Sequence, residues 1–136
     1  MILLDTDVLI DLALDRHPHA GPAAELVDYL ERQPHRSFVA WHSLSNFYYL
    51  VAPTRGGQDA REFLLDLTRF VTVARSDTEA LRFATTLPMA DFEDALQVAA
   101  ARACGASFIA TRNTRDYAGS PIPALTPAAL LAELTG

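Results

Sequence analysis

The sequence predicts an α/β fold, a three-layer α/β/α sandwich with a central parallel sheet, and two observations lead to it. Short apolar runs recur along the chain, and stretches in which apolar residues have helical spacing separate them. Strands that alternate with helices in this way form parallel sheets with helices on both faces. The 136 residues are enough for one ordinary domain. We therefore expect a single domain over residues 1–136.

The first half of the chain contains two predicted strands and three predicted helices. The apolar run before Asp5 has the composition of a buried parallel strand. The helices follow residues that cap helix N-termini well. The strands are Met1–Leu4 and Ser37–Trp41, and the helices are Val8–Leu14 after a cap at Thr6 or Asp7, Ala23–Arg32, and a segment from a cap at Ser43 to a break at Pro53–Gly57.

The second half contains three predicted strands and four predicted helices. Gly105 has the position of a helix C-terminal glycine, and Pro127 that of a first helical residue. The strands are Val71–Ala74, Phe108–Thr111 and Ile122–Leu125, and the helices are Ala60–Phe70, Ser76–Thr85 with Ser76 and Glu79 as a capping pair, Asp91–Cys104, and a last helix capped by Thr126.

Charge and hydropathy narrow the range of functions. The formal net charge of −6 does not fit a protein that binds nucleic acid through a broad basic surface. No apolar run approaches the roughly 20 residues of a membrane span. We expect a cytoplasmic protein without membrane contact. All eleven basic residues are arginine, which weakens the case for enzyme classes whose chemistry uses a lysine.

Five polar residues that are distant in sequence are predicted to meet at one edge of the sheet. Ligands of such sheets bind outside the carboxyl ends of the strands. Asp5 ends the first strand, and Asp116 lies in the loop after the fourth. Asp91 and Asp94 begin a helix that runs into the fourth strand, so its N-terminus lies at the same edge. Asn46 lies in the first turn of the helix after the second strand.

Carboxylates gathered at one edge repel each other unless a positive charge lies between them. Mg²⁺ and Mn²⁺ prefer oxygen ligands and are often held by a few carboxylates together with substrate phosphate. The residues therefore predict a Mg²⁺ or Mn²⁺ site formed by Asp5, Asp94 and Asp116. Asp91 is either a further acid or only a helix cap. The chemistry expected of such a site is phosphodiester hydrolysis.

Three segments resemble the PIN domain family, and within it the VapC-like bacterial proteins. They are LLDTDVLIDL, VAWHSLSNFYYL and DFEDALQVAAARACGASFIATRNTRDY. The resemblance implies an α/β/α sandwich and a Mg²⁺- or Mn²⁺-dependent ribonuclease. It also implies RNA as substrate, a homodimer, and a role as a toxin neutralised by a small antitoxin.

The resemblance assigns the first, third and fourth acids of the family to Asp5, Asp94 and Asp116. The chain departs from the family at the second acid, where the usual glutamate is replaced by Asn46. The SLSN and DFEDA patterns together resemble a recurring subgroup of the family. Asn46 can still ligate through its carbonyl oxygen or orient a water, but it brings no charge, and Asp91 is the expected substitute.

Further residues near these acids are expected to support the site. Thr6, Asp7 and Asn113 are candidates for hydrogen bonds to ligands or waters, with capping and turn roles as the alternative. Arg112 and Arg115 are candidates for binding RNA phosphate, or else for pairing with the nearby carboxylates.

Two other functions remain open. The chain could be a catalytically weak PIN domain that binds RNA or a protein, as Asn46 and the acidic charge suggest. It could also be a dehalogenase-like phosphatase, because LLDTDVL places Asp-x-Asp after an apolar strand. That enzyme class and the receiver domains both use a lysine, which the chain lacks.

Overall fold

The computed structural model describes residues 1–136 and contains five strands and seven helices. The strands are β1 (Ile2–Leu4), β2 (Ser37–Val39), β3 (Val71–Val73), β4 (Phe108–Ala110) and β5 (Ala124–Leu125). The helices are α1 (Thr6–Ala13), α2 (Ala20–Glu31), α3 (Trp41–Arg55), α4 (Gly57–Leu67), α5 (Thr78–Thr85), α6 (Phe92–Ala103) and α7 (Pro127–Thr135), with a 3₁₀ turn at Thr114–Tyr117.

All strands are parallel, in the order β3-β2-β1-β4-β5. Leu3 in the central strand β1 is paired with Phe38 on one side and with Ile109 on the other. The chain adds β2 and β3 on one side of β1, and then crosses to add β4 and β5 on the other. Strand order therefore reverses between β1 and β4, and the carboxyl ends of these two strands form the crevice in which such sheets bind ligands.

Alternating residues of β1 face the two layers of helices. Ile2 and Leu4 belong to a core of 19 buried residues that also draws on α1, α2, α3, α4 and α7. Leu3 belongs to a second core, which includes Val98 of α6. The predicted three-layer α/β/α sandwich is confirmed. None of the seven helices combines the length and the hydropathy that a membrane span requires.

Several helix ends differ from the prediction. The cap of α1 is Asp5 rather than Thr6 or Asp7, and its side chain accepts a hydrogen bond from the backbone of Thr6. Ser43 does not cap α3, because that helix already begins at Trp41. The buried Ser43 hydroxyl instead takes part in a network between helices.

One further helix cap was also predicted wrongly. The cap of α5 is Asp77, whose carboxylate accepts a bond from the backbone of Ala80, and not Ser76. Pro53 lies in the last turn of α3, and the helix ends at Arg55, within the predicted break at Pro53–Gly57; the following Gly56 has a φ of 90° that few other residues adopt. The caps predicted at Gly105, with φ of 72°, and at Thr126 are confirmed.

An ion pair attaches the segment after β4 to α1. Arg112 Nε donates to Asp11 Oδ2 over 2.8 Å, and the side chains of Asp11 and Arg112 are 2% and 29% exposed. A carboxylate with so little access to water is stable as an anion only when it is paired. The ion pair therefore links α1 to the loop that carries Asp116.

Removing the arginine is expected to destabilise the fold. Arg112→Met leaves the Asp11 carboxylate buried without a partner, and we expect the free energy of unfolding to fall by about 3 kcal/mol in urea denaturation. Asp11→Leu combined with Arg112→Met removes both charges, and the free energy of unfolding of this double variant should fall much less. Equal losses in the single and double variants would contradict this view of the pair.

Candidate metal centre

Asp5 lies at the carboxyl end of β1 with a side chain that is fixed by three donors. Its Oδ1 accepts the backbone N–H of Thr6 at 2.7 Å. Its Oδ2 accepts the hydroxyls of Thr111 at 2.9 Å and Tyr117 at 2.8 Å. The residue is only 6% exposed. Asp5 is thus held in one orientation at the crevice between β1 and β4.

Three acids begin α6 beside this crevice. Asp91 is the N-cap, and its Oδ1 accepts the backbone N–H groups of Glu93 at 2.8 Å and Asp94 at 3.3 Å. Asp94 is 8% exposed. Carboxylate oxygens of Asp91, Glu93 and Asp94 lie within 4.8 Å of one another. This spacing would let one cation contact more than one of them.

Glu93 accepts hydrogen bonds from two residues of α3 and from one residue of its own helix. His42 Nε2 lies 3.1 Å from Glu93 Oε1, Asn46 Nδ2 lies 3.3 Å from the same oxygen, and Gln97 Nε2 lies 3.1 Å from it. The predicted site residue Asn46 is therefore in contact with an acid, as a donor. The acid that Asn46 contacts is Glu93, whereas the sequence had suggested Asp91 as the acid that takes the place of the missing glutamate.

A buried polar network connects Glu93 to α1. Gln97 is fully buried, and its Nε2 also lies 2.7 Å from Ser43 Oγ and 3.2 Å from Thr6 Oγ1. Thr6 in turn donates to Ser43 over 2.8 Å. The candidate Thr6 thus has two connections: its backbone amide binds Asp5, and its hydroxyl belongs to the network that reaches Glu93.

Asp7 forms hydrogen bonds with three residues of the segment after β4. Its carboxylate accepts the Thr111 hydroxyl at 3.1 Å, the Arg112 backbone N–H at 3.2 Å and the Asn113 side-chain amide at 3.2 Å. Asp7 and Asn113 therefore contact each other. Both support the position of the loop that follows β4.

Asp116 lies in the 3₁₀ turn and is exposed. It lines a polar depression of about 320 Å³ together with Arg112, Asn113, Thr114 and Arg115. The neighbouring Tyr117 binds Asp5, so this turn adjoins the crevice. No hydrogen bond joins the Asp116 side chain to Asp5 or Asp94, and its part in one cluster with them stays a prediction.

The two candidate RNA-binding arginines have different surroundings. Arg112 directs its Nε to Asp11, which fits the expected alternative of pairing with a carboxylate. Arg115 is exposed beside the polar depression and forms no ion pair. Of the two, only Arg115 has its whole guanidinium available to a phosphate.

The acids of the crevice disfavour one another's charge. Burial and the charge of Asp5 raise the pKa of Asp94 to about 8, and the same two causes raise the pKa of Asp7 to about 7. Burial also raises the pKa of Asp5, against the hydrogen bond from Tyr117. None of the ion pairs in the fold involves Asp5 or Asp94. These two carboxylates lack the positive charge that would make their ionised forms favourable.

Glu93 has the opposite electrostatic surroundings. Burial disfavours its charge, but the hydrogen bonds from His42 and Gln97 outweigh burial and lower its pKa. Tyr117 remains a protonated donor, since burial and the charge of Asp5 raise its pKa. Glu93 is therefore readily ionised, whereas Asp5, Asp7 and Asp94 are ionised less easily.

The sequence interpretation missed several residues of this site. Glu93 was overlooked between two more prominent aspartates, and His42 was included only as a letter of the VAWHSLSNFYYL segment. Gln97 could have been identified from sequence, because it is a polar residue among the apolar residues and alanines of this helix. It also lies four positions after Glu93, the spacing at which helical side chains meet. Thr111, interpreted as an ordinary strand residue, donates to two acids of the site.

The fold has close relatives among solved structures. Mycobacterium tuberculosis VapC20, a sarcin-ricin loop cleaving toxin, superposes with a TM-score of 0.70 at 20% identity, over 88% of this chain and 96% of VapC20. VapBC2 from Rickettsia felis, bound to a DNA fragment from its promoter, superposes with a TM-score of 0.72 at 13% identity, over 93% of this chain and 98% of the matched chain.

A toxin–antitoxin complex from Klebsiella pneumoniae gives a TM-score of 0.70 at 21% identity, over 93% of this chain and 98% of the matched chain. No curated protein matches the chain in sequence. The sequence profile described as PIN domain matches residues 1–115, which is most of the chain. The chain therefore belongs to the PIN domain family.

Proposed function

We propose that this chain is a Mg²⁺- or Mn²⁺-dependent endoribonuclease that hydrolyses RNA phosphodiester bonds. The observation that carries the proposal is the pair of buried carboxylates, Asp5 and Asp94, at the point where strand order reverses. Neither has a cationic partner in the fold. Membership of the PIN domain family supports a nuclease.

The donor set fits a hard divalent cation. All the candidate ligands are carboxylates, and the crevice offers no cysteine, so Mg²⁺ or Mn²⁺ is preferred over softer metals. The raised pKa values of Asp94 and Asp7 indicate that positive charge is missing there. We propose Asp5 and Asp94 as ligands, with Asp116 contributed by the adjoining turn.

The residues of the chain prepare the site by fixing these ligands. Thr111 and Tyr117 hold one oxygen of Asp5, and the backbone of Thr6 holds the other. Asp91 keeps the first turn of α6 in place, and Asp94 projects from that turn. When bound, the cation would supply an activated water and offset charge on the phosphate. A phosphate that enters the crevice would meet Arg115 at its edge.

The structural relatives support RNA as substrate and an antitoxin as partner. One relative is a sarcin-ricin loop cleaving toxin, and others are complexes of toxins with antitoxins. We extend both properties to this chain as part of the proposal, together with action in the cytoplasm, where RNA is found. A homodimer is proposed through α3, because Trp41 and Tyr49 expose 67% and 73% of their surface there.

The second candidate function is a catalytically weak PIN domain that binds RNA or protein. It is favoured by one observation: position 46 offers an amide that donates to Glu93, where a further acid was expected. The acidic net charge of −6 points the same way.

Loss of either buried ligand should abolish cleavage. We expect Asp5→Asn and Asp94→Asn to lower Mn²⁺-dependent cleavage of a labelled RNA by more than the roughly 10–100-fold typical of residues that only support a ligand. Asp28→Asn, an exposed acid on α2, is the matched control and should cleave like wild type. Full activity in Asp5→Asn, with the fold checked by circular dichroism, would refute the site.

Stability without metal should depend on pH in a defined direction. The pKa values of about 8 for Asp94 and about 7 for Asp7 exceed the value of about 4 in an unfolded chain. The folded protein retains protons that the unfolded chain releases, so its free energy of unfolding should fall as pH rises from about 4 to about 8.

The variant Asp94→Asn isolates this effect, because it removes one of the titrating groups. The fall in unfolding free energy between pH 5 and pH 8, measured by urea denaturation in chelator, should be smaller in the variant than in wild type. An identical pH dependence in the two proteins would show that Asp94 is not held at an unfavourable charge.

A further inference from the structure

Glu93 differs from the other acids of the crevice in how it is held. Three side-chain donors meet at its Oε1: His42 Nε2 at 3.1 Å, Asn46 Nδ2 at 3.3 Å and Gln97 Nε2 at 3.1 Å. None of them donates to Oε2. One oxygen therefore fixes the orientation of the carboxylate, while the other carries no bond from these three residues.

The chemistry of the contact determines what Asn46 does. An ionised carboxylate only accepts hydrogen bonds, so the amide of Asn46 must present its N–H to Glu93. The same holds for Gln97, whose fully buried amide directs its nitrogen to Glu93 and to two hydroxyls. Asn46 is therefore placed as a donor that holds an acid.

The location of Glu93 connects it to both proposed ligands. A carboxylate oxygen of Glu93 lies within 4.8 Å of one of Asp94. Through Gln97 and Thr6, Glu93 is also joined to the residue whose backbone amide binds Asp5. An orientation fixed by three donors has a cost in side-chain entropy, and such fixed carboxylates are typical of metal ligands with supporting partners.

We propose that Glu93 is a further metal-ligating carboxylate of this centre, and that Asn46, His42 and Gln97 are positioning residues that act through it. This inference rests on the proposed function, since it concerns the same metal centre. Glu93 on α6 would then supply the negative charge that the family's glutamate on α3 supplies and that Asn46 lacks. The centre then has Asp5, Glu93 and Asp94 as acids from two helix N-termini, with Asp116 nearby.

Calorimetric titration of the metal-free full-length protein with Mn²⁺ tests the ligand. Glu93→Gln keeps the size of the side chain and its acceptor oxygen but removes the charge, and we expect at least a tenfold weaker Mn²⁺ affinity, in line with the roughly 10–100-fold lost with groups that support metal ligands. Glu25→Gln, an exposed glutamate on α2, is the matched control and should bind as wild type does.

A double-variant cycle tests the positioning residues. Asn46→Ala and His42→Ala should each weaken Mn²⁺ binding by about tenfold, but neither should weaken it further once Glu93→Gln is present. If these residues had a purely structural role, the losses of Mn²⁺ affinity in the single variants would instead add up in the double variants. His42→Gln, which retains an N–H donor, should recover part of the affinity lost in His42→Ala. Additive losses, or no loss, would overturn the positioning role.

The same titration separates this inference from the proposed function. Wild-type affinity in Glu93→Gln, together with lost binding in Asp94→Asn, would overturn the role of Glu93 and leave the metal centre intact. Absence of Mn²⁺ binding by the wild-type protein, or undiminished binding in Asp94→Asn, would overturn the metal centre itself. Circular dichroism of each variant confirms that the fold is retained.

Discussion

Repulsion between buried carboxylates is the constraint on which the rest of the structure depends. Asp5 and Asp94 are 6% and 8% exposed; burial raises the pKa of both, and the charge of Asp5 raises the pKa of Asp94 further. The sheet brings them together because strand order reverses between β1 and β4. Burying two acids without a cationic partner lowers the stability of the fold, and a cation bound between them would restore it. The family of the chain and the donor chemistry both indicate a divalent metal.

The surrounding contacts keep the repelling groups in place. Asp7 and Asp11 lie on one face of α1 and hold the segment after β4, through its backbone and through Arg112. The Thr111 hydroxyl lies 2.9 Å from Asp5 Oδ2 and 3.1 Å from Asp7 Oδ2, so its single proton is shared between the two carboxylates. These bonds oppose relaxation of the site. The same contacts position the turn that carries Asp116, which connects fold stability with site geometry.

The regular part of the fold could be predicted from sequence, and the contacts between elements could not. The apolar run before Asp5 and the caps at Gly105 and Thr126 are local signals, and the structure confirms them. The convergence of Asp5 and Asp94 followed from the topology of parallel sheets. Glu93 was missed because its importance depends on three donors from positions up to 51 residues away. Composition and periodicity hold no information about such pairings, and neither does capping preference.

Thermal unfolding of wild type and Asp94→Asn at pH 8, with chelator and with Mn²⁺, tests the central claim most directly. We expect Mn²⁺ to stabilise wild type, by about 2.7 kcal/mol at 100 times its Kd. Without metal, Asp94→Asn should be at least as stable as wild type, because one repelling charge is gone, and it should lose the response to Mn²⁺. An equal response to Mn²⁺ in both proteins, or none in wild type, would contradict the account.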